Sequence, residues 1–214
     1  MSLRTERDGR VFRITLVSPD KKNLIDGPLS LALLGEFAAA QADPEVRAVL
    51  LTSEGPVFCG GVLGEVEHGI FDIHAGLTKP LVVAAQGVVF GPGLAFLASA
   101  HVALAAQGSS FGLVDIREGK WNHALFTAVA RAVGERRTRE LYLTGRIFTA
   151  PDALNWGLVH QIAPAFELDD RASAIAESLS NADAETVACV LACRVETPLD
   201  ASSAGIDTSV DAAR

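Results

Sequence analysis

Two glycine-rich segments, Gly55-Pro-Val-Phe-Cys-Gly-Gly-Val-Leu63 and Gly87-Val-Val-Phe-Gly-Pro-Gly93, each follow a short apolar run and precede a helix-like stretch. Turns of this kind bare their backbone N–H groups, and two at one sheet edge can assemble an oxyanion hole from main chain alone. The second segment also fits a plain strand-to-helix turn, or a turn that aims a helix N-terminus at an anion. It does not fit a dinucleotide fingerprint, whose third glycine would stand where Phe96 is. Gly108-Ser-Ser110-Phe-Gly112 matches the spacing of a nucleophile elbow, with Asp152 and His160 following in the order of a serine hydrolase. An elbow needs a helix directly after its serine, whereas Leu113-Val-Asp-Ile-Arg-Glu-Gly119 is no clear helix start, so a strand-entry turn is the plainer reading. Among five histidines there is no His-Glu-x-x-His zinc pair. His101, His123 and His160 read as structural or surface residues, and Glu65, Glu67 and His68 as the solvated face of a short helix. Three cysteines make an odd count, and Cys189 and Cys193, one helical turn apart, do not complete a zinc site. No metal is expected.

The elements that must position these groups follow from the pattern. Val11 to Ser18 alternates apolar and polar residues as a half-buried strand does. Pro28 opens a helix that Asp43-Pro44 ends. Ala48–Thr52 and Leu81–Ala85 are short continuous apolar runs, suited to buried parallel strands. Helix-like segments cover 93–99, 124–133, 135–143 and 152–156, Leu158–Ile162 reads as a last strand, and the pattern from Leu168 onward is helical and alanine-rich. Strands alternating with helices predict an α/β fold with a largely parallel core over 1–163 and a helical C-terminal region over 164–214, with no visible repeat.

Composition narrows the partners. With 18 basic against 26 acidic side chains, the net charge of −8 argues against a nucleic-acid surface, and anions must be met by local features. The charged N-terminal stretch lacks the apolar core of a signal peptide, and no run of roughly 18 apolar residues exists to cross a membrane. A cytoplasmic, reduced protein is expected.

With the motifs laid in order, the chain resembles the crotonase (enoyl-CoA hydratase/isomerase) family. Phe58-Cys-Gly-Gly-Val-Leu63 is similar to that family's F-C-A-G-A-D, and Lys79-Pro-Leu-Val-Val-Ala-Ala-Gln-Gly87 to its K-P-V-I-A-A-V-N-G. Gly91-Pro92-Gly93 falls on its G-G-G turn and Phe111-Gly-Leu-Val-Asp115-Ile-Arg-Glu-Gly119 on its F-G-x-P-E-x-x-x-G. Lys22-Asn-Leu-Ile-Asp26, Val133-Gly134, Glu140-Leu-Tyr-Leu-Thr-Gly-Arg146 and Ala153-Leu-Asn-Trp-Gly-Leu-Val159 match its remaining segments, so the likeness runs from about residue 10 to 163.

The resemblance implies a ββα-repeat spiral core, a C-terminal helical part that builds homotrimers or homohexamers, and acyl-CoA thioesters as substrate, coenzyme A entering only as part of that substrate. It implies a thioester oxygen held between the backbone N–H groups at positions 62 and 92, and CoA contacts near Lys22, Asn23, Leu24, Gly60, Gly61 and Leu63. The two usual carboxylates fall at Ala95 and Asp115. Here the chain departs from the family it resembles. Pro92 has no N–H, so Val62 is left as one donor, with Gly91 or Gly93 as substitutes if the turn is re-aimed. Ala95 removes one carboxylate, leaving Asp115 as the single candidate acid/base, with Glu118 and His123 close in sequence. The 62–79 loop is short for the family and the C-terminal helical part is expected to be shortened, both opening the site. The expected function is that of an enoyl-CoA hydratase/isomerase of fatty-acid type. The alternatives are a non-catalytic acyl-CoA binder on the same fold and a serine hydrolase using Ser110.

Overall fold

The long apolar runs become strands with no solvent face in the computed structural model, which describes residues 2–193 apart from the Glu118 side chain. β1 (Leu3–Asp8) turns through Gly9-Arg10 into β2 (Val11–Leu16), and α1 (Gly27–Ala42), capped by the Asp26 carboxylate accepting from Leu29 N, carries the chain across. Three similar coils follow. β3 (Ala48–Ser53) leads to β4 (Val57–Cys59) and a 3₁₀ turn at His68–Asp72. β5 (Leu81–Ala85) leads to β6 (Val88–Phe90) and α2 (Pro92–Ser99). β7 (Val102–Ala106) leads to β8 (Ser110–Gly112), a 3₁₀ turn at Val114–Glu118, α3 (His123–Val133) and α4 (Glu135–Thr144). β9 (Ile147–Thr149), α5 (Ala150–Asn155), β10 (Gln161–Ala163), α6 (Leu168–Ser180) and α7 (Ala184–Ala192) complete the described chain.

Each coil places its long strand in one sheet and its three-residue strand in another. The larger sheet has the order β1-β2-β3-β5-β7-β10, the smaller β4-β6-β8-β9. Only the β1–β2 and β8–β9 pairs are antiparallel among the described strands. This is the ββα spiral that the resemblance implied. Side chains alternate across the larger sheet. Val49, Leu51, Leu81, Val83, Ala103 and Ala105 face the interior between sheets and helices. Ala48, Leu50, Val82, Ala84, Leu104 and Ala106 face outward, where Leu168, Ala172 and Ala176 of α6 cover them. The first helix of the C-terminal region thus seals the sheet, and the small residues on both sides let backbone approach backbone.

Several expected boundaries shift, each for a local reason. The strand expected at Leu158–Ile162 is β10 at Gln161–Ala163, because Leu158 N and Val159 N donate to Ala153 O and so finish α5. The helix expected at 152–156 begins earlier, at Ala150, where Thr149 and Asp152 form a capping box. The segment 87–93, read as one turn, contains β6, and the helix expected after Leu63 is only the 3₁₀ turn at His68–Asp72. Residues 194–214, the end of the expected helical region, lie outside the described residues.

Candidate active site

The site is built from three coils, beginning with the first. Lys22 and Asn23 adopt left-handed φ values of 55° and 46°, which asparagine tolerates well. Asn23 is only 1% exposed; its Oδ1 accepts from Ser18 N at 2.8 Å and its Nδ2 donates to Val57 O at 2.7 Å and Glu54 O at 3.1 Å. Its amide holds the 22–26 loop against β4, and Lys22 is left exposed at the rim. Gly60 N donates to Lys22 O at 2.9 Å, and a Cβ on Gly60 would sit 2.8 Å from that oxygen, so only glycine fits. Ile25 N donates to Gly61 O, and Leu63 N to Ile25 O, a parallel bridge centred on Val62. In such a bridge successive N–H groups point to opposite sides. The Val62 N–H therefore turns away from the 22–26 loop. Leu24 is half-buried and Leu63 exposed along the same edge.

The second coil brings α2. Gly91, at φ 50° and ψ −116°, is its N-cap and Pro92 its first residue. A Cβ built on Gly91 would lie 3.5 Å from Gly61 Cα and 4.0 Å from Asp115 Oδ2, so the three coils meet at this glycine. In the first helical turn Pro92 has no N–H and Leu94 N donates to Gly91 O at 3.0 Å, while Gly93 packs on Cys59, where a Cβ would come 2.9 Å from Cys59 Cβ. Burial pushes the Cys59 thiol up to about 11, hydrogen bonding with the backbone of Gly61 and Gly93 pulls it back, and the Asp115 charge adds to the rise. Ala95, where the resemblance wants a carboxylate, is fully buried.

The third coil supplies Asp115, on the 3₁₀ turn after β8, its Oδ2 shielded from solvent and its main-chain oxygen accepting from Lys120 N. A cavity of about 630 Å³ opens here, lined by Val62 and Asp115 together with the apolar Val66, Phe71, Trp121 and Leu125. Glu65, Glu67, His68, Lys120 and Asn122 add polar groups to the same lining. Sequence reasoning missed Phe71, Trp121 and Leu125 because Phe71 comes from the first coil and the other two from the third; only the proximity of Trp121 to Asp115 in sequence hinted at it. His123 is exposed at the start of α3, outside this lining.

Ser110 sits elsewhere, as the first residue of β8, with a 3₁₀ turn rather than a helix beyond that strand. Asp152 is engaged with Thr149 N and Oγ1, and His160 Nδ1 accepts from Ala103 N. The segment is thus the strand entry that its sequence context favoured over an elbow, and the carboxylate and imidazole of the alternative already serve the backbone. Among the described residues no group of three His, Cys, Asp or Glu side chains could hold a metal ion. No helix among them is long and apolar enough to cross a membrane.

This arrangement has relatives. The family model for enoyl-CoA hydratase/isomerase matches residues 6–203. A carnitinyl-CoA dehydratase of Salmonella paratyphi A is 30% identical over 202 residues, 84% of this chain and 75% of that one. Among solved structures, a carnitinyl-CoA hydratase from Mycobacterium avium superimposes with a TM-score of 0.80 at 30% identity, over 88% of this chain and 78% of that one. An enoyl-CoA hydratase from Mycobacterium paratuberculosis gives 0.81 at 29% identity, over 89% and 86%. The likeness takes in every coil that meets at Gly91, and the chain belongs to the enoyl-CoA hydratase/isomerase family of the crotonase superfamily.

Proposed function

We propose that the protein acts on an acyl-CoA thioester, with the Val62 N–H polarising the thioester carbonyl and Asp115 moving the proton. The observation that carries this reading is the convergence of Gly61, Gly91 and Asp115, with Val62 and Asp115 lining one cavity. A single carboxylate suits double-bond isomerisation better than hydration. It takes a proton from C2 of a 3-enoyl thioester, the resulting dienolate is held at its oxygen by the N–H, and the same proton returns at C4 to give the 2-enoyl product. Hydration asks for a second group to position water, and the fully buried Ala95 supplies none. Loss of one oxyanion donor costs about 10²–10³ in rate, so turnover is expected to be slow. The missing N–H at Pro92 and the missing carboxylate at Ala95 favour a second reading, a non-catalytic acyl-CoA binder.

Assays of isomerisation and hydration with short and medium enoyl-CoAs, beside calorimetric binding, separate the two. Isomerisation lost at least about 100-fold in Asp115→Asn, with thioester binding kept, supports the enzyme. Tight binding without turnover at high enzyme concentration leaves the binder. Restoring both family positions, Pro92→Gly with Ala95→Glu, is expected to raise hydration by orders of magnitude.

A further inference from the structure

Trp121 is 61% exposed, an unusual place for a large apolar ring, and its exposure is onto the cavity. The ring is not loose. Its centroid lies 5.0 Å from that of Tyr142 and 5.4 Å from that of Phe126, which are 5.9 Å from each other. Tyr142 is buried and its hydroxyl donates to Asn122 O at 3.3 Å, while Asn122 Oδ1 accepts from Leu125 N as the N-cap of α3. On the other side of Trp121, Lys120 N donates to Asp115 O at 3.0 Å. The backbone on both sides of the ring is therefore pinned, one end to the candidate acid/base and the other to a helix start. Two rings back it, and its remaining surface faces the cavity.

We infer that Trp121 is a specificity-determining residue that stacks on a planar, aromatic end of the acyl group, so that aryl-substituted enoyl thioesters are the preferred substrate class. The inference rests on the acyl-thioester reading. A thioester held at Val62 with its reacting carbons beside Asp115 places its acyl tail in the cavity that Leu125, Phe71 and Trp121 also line. Much of the remaining lining is polar, with Glu65, Glu67, His68, Lys120 and Asn122. A long aliphatic tail would lay much of its surface against those groups, whereas one flat ring is covered by the indole. Aromatic pairs prefer offset or tilted contacts and gain beyond their buried area, which predicts a discrimination of about three- to tenfold from stacking.

The test measures binding of cinnamoyl-CoA, 2-octenoyl-CoA and crotonyl-CoA by calorimetry to the full chain, to Trp121→Ala and to Trp121→Phe. Circular dichroism and melting confirm that each variant is folded. Cinnamoyl-CoA is expected to bind tighter than either aliphatic ester. The cinnamoyl-to-crotonyl affinity ratio is expected to fall about three- to tenfold in Trp121→Ala and to be largely restored by Trp121→Phe. Crotonyl-CoA binding with no aryl preference, or a preference that survives Trp121→Ala, overturns the role of Trp121 and leaves the thioester reading standing. Failure of all three esters to bind overturns the thioester reading and the aryl assignment with it.

Discussion

Cys59 shows how closely the first and second coils are locked at the scale of single atoms. Its sulfur is fully buried, donates to Gly61 O at 3.9 Å, and has its titration pushed up to about 11 from about 9, mainly by burial. At pH 8 a thiol reagent is expected to label Cys189 and Cys193, both exposed, and to reach Cys59 only in denaturant. Rapid native labelling of a third thiol would show the packing to be wrong. The sign of the pH effect follows from the direction of the shift. A thiol whose folded pKa lies above its unfolded one contributes stability that is whole below about 9 and is lost as pH rises toward about 11. The two glycine-rich turns were legible in the glycine spacing, while the departures at Pro92 and Ala95 could be read only against the family resemblance. That Gly93 packs on Cys59 was not legible, because it depends on how two coils stack and no local pattern encodes that contact.

Among the elements, two strands buried on both faces were legible, since Ala48–Thr52 and Leu81–Ala85 are continuous apolar runs, whereas the equally covered β7 went unread because its alanine-rich Val102–Ala106 has weak strand propensity. β4, β6 and β8 were invisible as strands for the opposite reason. Three residues carry no periodicity, and each exists only because a neighbouring coil offers backbone partners. β1 has apolar character only at Leu3 and is held as a strand by its pairing with β2. Gly87 marks the tightest of these links. At φ +67° it joins β5 to β6, and a Cβ there would come 1.7 Å from Pro56 O. Gly108, at φ +81° between β7 and β8, has open space around it. Gly108→Ala should cost only the conformational strain, about 1 kcal/mol, while Gly87→Ala should cost well over about 2 kcal/mol through strain and collision together. Urea midpoints of the two variants give the comparison, and equal midpoints would contradict the packing at Pro56.

For the whole molecule the decisive contact is α6 on the outer face of the larger sheet. Leu168, Ala172 and Ala176 cover Leu50, Val82 and Leu104, and Arg13 of β2 adds hydrogen bonds of 2.6 Å to Asp169 and to Ser173. Ala172→Asp would place a carboxylate in that seam with no partner, and a loss of about 3–5 kcal/mol is expected, read as a lowered melting temperature. An unchanged melt would mean that the helix does not close the sheet.

The same coiling has a consequence for how such a chain can diversify. Gly61, Gly91 and Asp115 arrive from three successive coils, and the segments that return from one coil to the next, such as 64–79, lie outside the strand pairs. The fold behaves like a chuck with three jaws on separate screws. Lengthening one outer segment resets a single jaw, so the cavity lining can be changed while the meeting of Gly61, Gly91 and Asp115 is kept.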